Sequence, residues 1–442
     1  MTQKNLPTEA SVSPSKVAFA AALGTIIEWY DFFIYGTAAA LIFNKVFFAN
    51  LPPKVGTLVA FATFAVGYVA RPFGAVIFGH FGDRIGRKTM LILTLLIMGV
   101  ATFIIGLLPT YNSIGIWAPI LLVIMRIFQG IGVGGEYGGA ALLAIEYAPK
   151  QRRGLFGSFT QDGVPIGLLM ASGMFSLLTL LPKNDFIAWG WRIAFLSTIV
   201  LVAIGLYVRL KIDETPVFQA IKKARAQKKV PFVAVLKSHP RQLLQGMGIR
   251  WIEGLTFNAY AVVAITYAVG AVGASRTTVL NGIVIGAAVG AVCTILFGHL
   301  SDRFGRKRIY GAGVVGIALF IFPSFALMRT GETTWIWISI AVGLGVIYSA
   351  IYGPLAAFWA ELFDTEVRYT GVGSVYQFSG IYASGLTPLI GASLIDATGG
   401  KPWAFAAYMV IVAAISFAVL LTIPETYERE LYGQRDRGAD GA

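Results

Sequence analysis

The sequence is poor in the residues that build soluble catalytic centres. It has one cysteine and three histidines in 442 residues. Cys293, alone in an apolar stretch, excludes an internal disulfide and a cysteine metal cage, and His80, His239 and His299 show no zinc-ligand spacing. No Gly-x-x-x-x-Gly-Lys-Ser/Thr phosphate loop occurs, so ATP hydrolysis is excluded as an energy source. Charge is scarce as well. Asp, Glu, Lys and Arg make up 13% of the chain, against roughly 25% in ordinary soluble domains.

What fills the chain instead is apolar: 56% of residues are hydrophobic and the mean hydropathy is +0.72. With roughly 20 apolar residues per bilayer crossing, the length accommodates about twelve crossings and leaves no room for a separate catalytic domain. The net charge of +13 sits in short basic clusters between apolar runs, which fits a membrane surface rather than nucleic acid. The aromatic share of 13% fits tryptophan and tyrosine at membrane interfaces.

Apolar runs long enough to span fall near residues 17–44, 55–79, 89–108, 115–147, 155–181 and 192–210, and again near 241–270, 277–300, 309–328, 335–362, 370–396 and 402–423. This reading divides the chain into a tail (1–16), a six-span half (17–210), a polar linker (211–240), a second six-span half (241–423) and a tail (424–442). The first tail is polar, with Pro7 and Pro14, and the apolar run after it exceeds a signal-peptide core and shows no clear cleavage site. Of the 35 basic residues, 25 fall in segments on the side of the termini and linker, 7 on the other side, and Arg71, Arg126 and Arg250 within spans. The positive-inside rule therefore predicts both termini and the linker in the cytoplasm, and the chain in the cell's inner (plasma) membrane.

An internal repeat carries the most information. Gly79-His80-Phe81-Gly82-Asp83-Arg84-Ile85-Gly86-Arg87-Lys88 returns as Gly298-His299-Leu300-Ser301-Asp302-Arg303-Phe304-Gly305-Arg306-Lys307, 219 residues on. Glu146 to Arg153 returns as Glu361 to Arg368 at an offset of 215, and Asp213-Glu214-Thr215 as Pro424-Glu425-Thr426 at 211. Two parallel halves joined by a long inner loop predict a binding site near mid-membrane between them, about which the halves rock. Such an architecture moves a solute.

The Gly-x-x-x-Asp-Arg-x-Gly-Arg-Lys run joins the second and third spans of each half, where glycines permit a tight turn and the charges stay at the interface. Here the sequence resembles the major facilitator superfamily over essentially its whole length. The resemblance implies an all-α polytopic fold of twelve transmembrane helices in two pseudo-symmetric six-helix bundles. It also implies an inner gate holding the outward-open state. That gate comprises Asp83, Arg84, Arg87, Glu146 and Arg153 with their repeats Asp302, Arg303, Arg306, Glu361 and Arg368. A bland alternative is generic positive-inside charge.

Within the first span, Glu28 and Asp31 lie one helical turn apart on a shared face, roughly 18 Å into the apolar run at 1.5 Å per residue. Carboxyls at that depth are costly and usually functional, and one that can exist neutral offers a reversible proton site. The fourth span carries Arg126 and Glu136 along a glycine-rich face that permits close packing. Its Gly130-Ile-Gly132-Val-Gly134-Gly135 run imitates a dinucleotide fingerprint, but it lies within a span with no strand before it. By resemblance to proton-coupled members, the carboxylate matching Asp31 pairs with the arginine matching Arg126, and protonation of Asp31 breaks the pair. A purely structural buried salt bridge is the alternative, and Glu28 has a second candidate role in substrate recognition.

The Glu28-Trp29-Tyr30-Asp31-Phe32 run, Ala70-Arg71-Pro72-Phe73-Gly74, Gly134-Gly135-Glu136-Tyr137-Gly138-Gly139-Ala140 and Glu361 to Gly371 are similar to the metabolite:proton symporter family. That resemblance implies cargo among small carboxylates, such as 2-oxoglutarate, citrate and shikimate, or zwitterions such as proline and betaine. The candidate substrate groups are mid-span polar residues: Arg71, Gln161, Asp162, Arg250, Glu253, Tyr376 and Gln377. A guanidinium grips a carboxylate with two parallel hydrogen bonds. Arg250, one turn from Glu253, is either such a grip or half of a self-neutralising pair. Arg71 has no acid within a turn, yet an acid on another helix could pair with it. Gln161, Asp162, Tyr376 and Gln377 either line a cavity or bridge helices.

The expected activity is therefore not enzymatic. It is proton-coupled uptake of a small organic carboxylate by alternating access, with protons as coupling ion, no cofactor, no metal and no nucleic acid, by a chain that functions as a monomer in the lipid bilayer. The rivals are proton-driven efflux and uptake of a zwitterion. A receptor or polytopic enzyme fits poorly, since the tails hold no signalling domain and the acids have no nucleophile or metal set beside them.

Overall fold

The structure, a computed structural model, describes residues 14–85, 87–134, 145, 148–211, 236–364, 367–427 and 429. Among these residues it is built from helices with no strand. That follows from the solvent: in hydrocarbon every backbone N–H and C=O must be satisfied within the segment, and a helix does so.

In the first half, helix 1 is Pro14–Leu41, helix 2 Pro53–Ile85, helix 3 Arg87–Leu107 and helix 4 Trp117–Gly134. Helix 5 runs as Arg153–Gln161 and Gly163–Leu178, and helix 6 as Lys183–Tyr207. In the second half, helices 7 to 12 are Pro240–Val272, Arg276–Phe304, Arg306–Arg329, Thr333–Leu362, Thr370–Ala397 and Trp403–Leu421. Nine of these described helices are long and apolar enough to cross a bilayer. The other three crossings are helix 1 with its two acids, helix 3 with a shorter apolar stretch at Ile92–Leu107, and helix 5, which breaks at Asp162. Pro165 accounts for that break, because it lacks an N–H and its ring crowds the carbonyl four residues earlier.

Helices 2 and 4 pack at backbone distance. A Cβ on Gly130 would strike the Gly67 carbonyl oxygen, one on Gly134 the Arg71 carbonyl oxygen, and one on Gly74 the Ile131 carbonyl oxygen. The glycine-rich face of helix 4 is therefore a packing surface that sets Arg126 and Arg71 deep between helices. Helices 1, 2, 3, 4, 5 and 6 form one bundle, with helix 1 against helix 5 and helix 3 against helices 4 and 6. Helices 7 to 12 form the other, with helix 12 against helices 7 and 9 and helix 8 against helix 10. The bundles meet along helices 5 and 8, helices 2 and 11, and helices 1 and 7.

Wide π turns interrupt helix 6 at Phe186–Gly190, helix 7 at Ala259–Val263 and Ala268–Val272, helix 10 at Ala341–Ile347 and helix 11 at Ile381–Gly385. Such turns are rare and often mark functional segments. Two interlock: Gly343 in helix 10 leaves the space that the Tyr260 ring of helix 7 fills, and Tyr260 Oη donates to Ser324 Oγ at 2.9 Å.

Candidate functional site

Three polar clusters occupy this frame. The first lies inside the N-terminal bundle. Asp31 is fully buried, and Thr102 of helix 3 stands 3.3 Å from its Oδ2. Thr102 Oγ1 in turn accepts from Gln129 Nε2 at 2.6 Å and lies 2.9 Å from the Met98 carbonyl. Gln129 Oε1 accepts from Arg126 Nη1 at 3.1 Å, and Arg126 Nη2 reaches the Phe64 carbonyl at 3.4 Å. The direct Asp31–Arg126 pair implied by family resemblance is thus not formed. Two neutral side chains, Thr102 and Gln129, stand between them, and Arg126 spends its charge on aromatic faces instead. Its Cζ lies 4.1 Å from the Tyr35 ring centroid, 4.3 Å from Phe32 and 5.0 Å from Phe64.

Phe32 carries a second cation. Arg71 Cζ also lies 4.3 Å from its centroid, 4.2 Å from that of Tyr68 and 5.6 Å from that of Trp29. Arg71 is 1% exposed, and its Nε, Nη1 and Nη2 have no hydrogen-bond partner among the described residues. Glu28 is buried on the same helix as Asp31.

The second cluster lies in the C-terminal bundle. Arg250 pairs with Glu253 one turn on, Glu253 Oε1 accepts from Tyr348 Oη at 3.0 Å, and the Arg250 guanidinium lies 3.9 Å over Tyr376. Arg250 and Glu253 thus meet as a pair, with Tyr376 beside them. Gln377 reaches across the bundles, Nε2 donating to the Gly134 carbonyl at 3.1 Å. Gln161 and Asp162 are buried at the break in helix 5, where Asp162 Oδ1 has no partner among the described residues. Aromatic rings join the two clusters in sequence: Trp29 on Phe33 at 5.1 Å, Phe33 on Phe257 at 5.1 Å, and Phe257 on Tyr348 at 5.2 Å.

The third cluster gathers the repeated motif at one end of the molecule. Arg306 donates to Asp302 Oδ1 at 2.7 Å, to Ser301 Oγ at 2.8 Å and to both oxygens of Glu361 at 3.2 and 3.3 Å. Asp302 also accepts the backbone N–H groups of Gly154 and Leu155 at 2.8 and 2.9 Å, which ties helix 8 to the start of helix 5 across the bundles. Gly305 turns with φ +97° between helices 8 and 9, a conformation that glycine adopts without strain.

Sequence reasoning missed how far the segment after helix 12 joins this gate. Glu425 accepts the backbone N–H groups of Arg306 and Lys307 at 2.9 and 3.1 Å, capping helix 9. Thr426 donates to Glu361 Oε2 at 2.8 Å, and Arg429 donates to the Glu361 carbonyl at 2.9 Å and to Asp364 at 2.7 Å. Arg153 crosses from the other bundle to the Arg429 carbonyl at 2.8 Å. The echo of Asp213-Glu214-Thr215 in Pro424-Glu425-Thr426 was the available signal. Arg368 donates to the Ala360 carbonyl at 2.8 Å, and Arg303 is exposed and joins none of these contacts. The side chains of Asp83, Arg84 and Arg87, and residues Glu136 and Glu146, lie outside the described part of the structure.

The bundles are bridged at the opposite end too. Lys54 pairs with Asp396, Ser176 donates to Asn281, and the Thr179 and Thr277 hydroxyls lie 3.1 Å apart. Nearby, partial burial and the charges of Arg276 and Lys183 lower the pKa of Lys45. The first two polar clusters lie between these bridged ends. No group of three or more His, Cys, Asp or Glu suited to a metal occurs among the described residues.

Residues 17–237 match the family model described as Sugar (and other) transporter, and residues 246–439 that described as Major Facilitator Superfamily. The chain is 39% identical to the Shikimate transporter of Escherichia coli (strain K12), covering 95% of this chain and 97% of that protein. It is 41% identical to the Inner membrane metabolite transport protein YhjE of the same organism, covering 95% and 96%. The Glycine betaine/proline/ectoine/pipecolic acid transporter OusA of Dickeya dadantii (strain 3937) is 35% identical, with 96% and 86% covered. Among solved structures, the D-xylose-proton symporter superposes with a TM-score of 0.72 at 19% identity, covering 94% of this chain and 99% of that one. At that identity the likeness concerns the twelve-helix fold.

Proposed function

The chain belongs to the major facilitator superfamily and is a multi-pass membrane transporter rather than an enzyme, and from that premise we propose that it takes up a small organic carboxylate together with protons. In this reading it sits in the inner membrane with both termini cytoplasmic, uses no cofactor and works as a monomer by alternating access. The observation that carries the proton coupling is the chain Asp31–Thr102–Gln129–Arg126.

The hydroxyl of Thr102 has one proton and two acceptors in reach, Asp31 Oδ2 and the Met98 carbonyl. With Asp31 ionised, that proton is drawn to the carboxylate. With Asp31 protonated, the carboxyl supplies its own proton to Thr102, and Thr102 donates to Met98. Gln129 donates to Thr102 in either state and holds Arg126, which packs on helices 1 and 2. The protonation state of one buried acid therefore reverses the hydrogen bond that joins helix 1 to helix 3, which is the kind of two-state element alternating access requires.

At about 150 mV, one uncompensated proton supplies roughly 3.5 kcal/mol, enough for a few hundredfold accumulation of a neutral solute. For a monoanion carried with one proton the charges cancel, and the pH gradient drives uptake. The likeness to betaine and proline transporters supports a zwitterion as the second reading.

The test is uptake into proteoliposomes with an imposed pH gradient, wild type beside Asp31→Asn. The expected result is that Asp31→Asn loses accumulation against a gradient but keeps substrate exchange at equal concentrations. Wild-type accumulation with unchanged pH dependence in Asp31→Asn would overturn the reading.

A further inference from the structure

The described residues hold one cluster of buried hydrogen-bond donors that neither the proton relay nor the gate employs. Arg71 presents Nε, Nη1 and Nη2 without an acceptor, and the indole Nε1 of Trp29, whose ring lies 5.6 Å from the Arg71 Cζ, has none either. Both side chains are buried, at 1% and 5% exposure. A buried cation without hydrogen bonds is costly, since the desolvation of its charge goes unrepaid. Aromatic faces return only part of that cost. What the cluster fits is an oxyanion, and a planar carboxylate matches the guanidinium fork with two parallel bonds.

The neighbouring groups sharpen the class. Among the described residues, Arg126 shares Phe32 with Arg71 at the same 4.3 Å, and the acids Glu28 and Asp31 are sequence neighbours of Trp29 and Phe32 on helix 1. An ammonium or quaternary nitrogen needs open aromatic faces. Here Trp29, Phe32 and Tyr68 are already covered by the guanidinium of Arg71 itself. A solute carrying its own cation would meet two arginines in place of a free aromatic cage.

From this we infer that Arg71 and the Trp29 indole N–H form the carboxylate-binding subsite, and that this subsite selects acids with net negative charge over zwitterions. Tyr68 links it to the other bundle. A Cβ on Gly385 of helix 11 would come within 2.8 Å of Tyr68 Cβ, and one on Gly380 within 3.3 Å of its ring. The ring that covers the cation therefore rests on the wide turn of helix 11, where relative motion of the bundles reaches the subsite.

The inference rests on the transport reading for its physiological meaning, but it is tested by binding in the absence of any gradient. Purified protein in lipid nanodiscs is titrated with acetate, shikimate, 2-oxoglutarate, glycine betaine and proline, with ligand-induced thermal stabilisation as the readout. The expected result is stabilisation by one or more of the net anions and not by glycine betaine or proline. Arg71→Met removes that stabilisation, a loss of affinity on the order of a hundredfold or more. Without ligand this variant melts at or above the wild-type temperature, because an unpaired buried cation has been replaced by an apolar chain of similar length.

Two further variants carry the test if Arg71→Met does not fold. Arg71→Lys keeps the charge but not the fork, and Trp29→Phe keeps the ring but not the N–H; each weakens the responding anion by roughly tenfold. The inference is overturned if a zwitterion gives the strongest response, if no anion responds, or if the anion response survives loss of the guanidinium. Failure of the coupling reading looks different: Asp31→Asn would retain uphill uptake while anion binding still depended on Arg71.

Discussion

Helices 1 and 7 occupy equivalent places in the two halves, and each carries two charged residues one turn apart: Glu28 and Asp31 in the first, Arg250 and Glu253 in the second. Both correspondences span 222 residues. Helix 7 neutralises itself. Arg250 pairs with Glu253, Tyr348 donates to Glu253, and Tyr376 lies under the guanidinium. Helix 1 has an acid where helix 7 has its arginine, so Asp31 depends on helices 3 and 4 for its polar contact, through Thr102 and Gln129. A charge pair completed within one helix keeps its countercharge when helices shift, even though Tyr348 and Tyr376 come from helices 10 and 11. A carboxyl that relies on two other helices ties its protonation to their packing.

The contrast is sharpest at the acids themselves. Glu253→Gln breaks a buried pair and leaves Arg250 without its charge partner, a loss expected at about 3–5 kcal/mol. Thermal unfolding in detergent would register it as a large drop in melting temperature. Asp31→Asn should leave the melting temperature near wild type while uphill uptake disappears. Equal destabilisation by both would erase the distinction between a structural half and a responsive one.

Next in size is the gate. Arg306→Ala leaves Asp302 and Glu361 buried with fewer donors, an expected cost of about 3 kcal/mol. Cysteine labelling of the start of helix 5 should become faster, because the Asp302 contacts to Gly154 and Leu155 loosen. Unchanged labelling would mean that the bundles are held at this end by other contacts. Thr102→Val is smaller still. It preserves shape but removes the relay, at about 1–2 kcal/mol of lost hydrogen bonding, and the pH profile of uptake should flatten while substrate affinity stays. The least effect is expected from Lys54→Ala at the opposite end, since an exposed ion pair contributes about 0–1 kcal/mol and is screened by salt. Its melting temperature should match wild type in high salt.

An aromatic ladder runs between the two clusters. Trp29, Phe33, Phe257 and Tyr348 stack from the anion subsite of one bundle to the Glu253 pair of the other. Contacts between apolar rings break no hydrogen bond when the bundles shift, whereas the polar bridges at the two ends and the Gln377 bond to the Gly134 carbonyl must give way.

Much of this was legible in the sequence. Apolar run length gave the helices, because the bilayer thickness and the helical rise leave few alternatives. The second copy of Gly-x-x-x-Asp-Arg-x-Gly-Arg-Lys marked the turn where Asp302 and Arg306 meet Glu361, and the isolated charges at mid-span marked Glu28, Asp31, Arg71, Arg126, Arg250 and Glu253. The break in helix 5 was not legible in the same way, since Pro72 and Pro323 lie inside helices 2 and 9 that run on without one, whereas Pro165 follows the break at Asp162. Thr102 and Gln129 gave no such signal, because a single threonine or glutamine in an apolar helix reads as an ordinary helix-bridging residue. Trp29 was equally silent, since an indole at a span reads first as an interface anchor.

The sequence by itself thus determined the number and nature of the helices, their pairing into two related halves, and which charged groups lie out of water. Those properties follow from local hydrophobicity, one residue after another along the chain. Tertiary structure alone decided which of those charges meet. It set two neutral side chains between Asp31 and Arg126, folded the segment after helix 12 onto the Arg306–Glu361 pair, and left Arg71 among aromatic rings with its donors unmatched among the described residues. The physical reason is range. Burial is a property of one segment in its solvent, but a hydrogen bond needs two atoms within about 3 Å, and only the packing of distant helices fixes that distance.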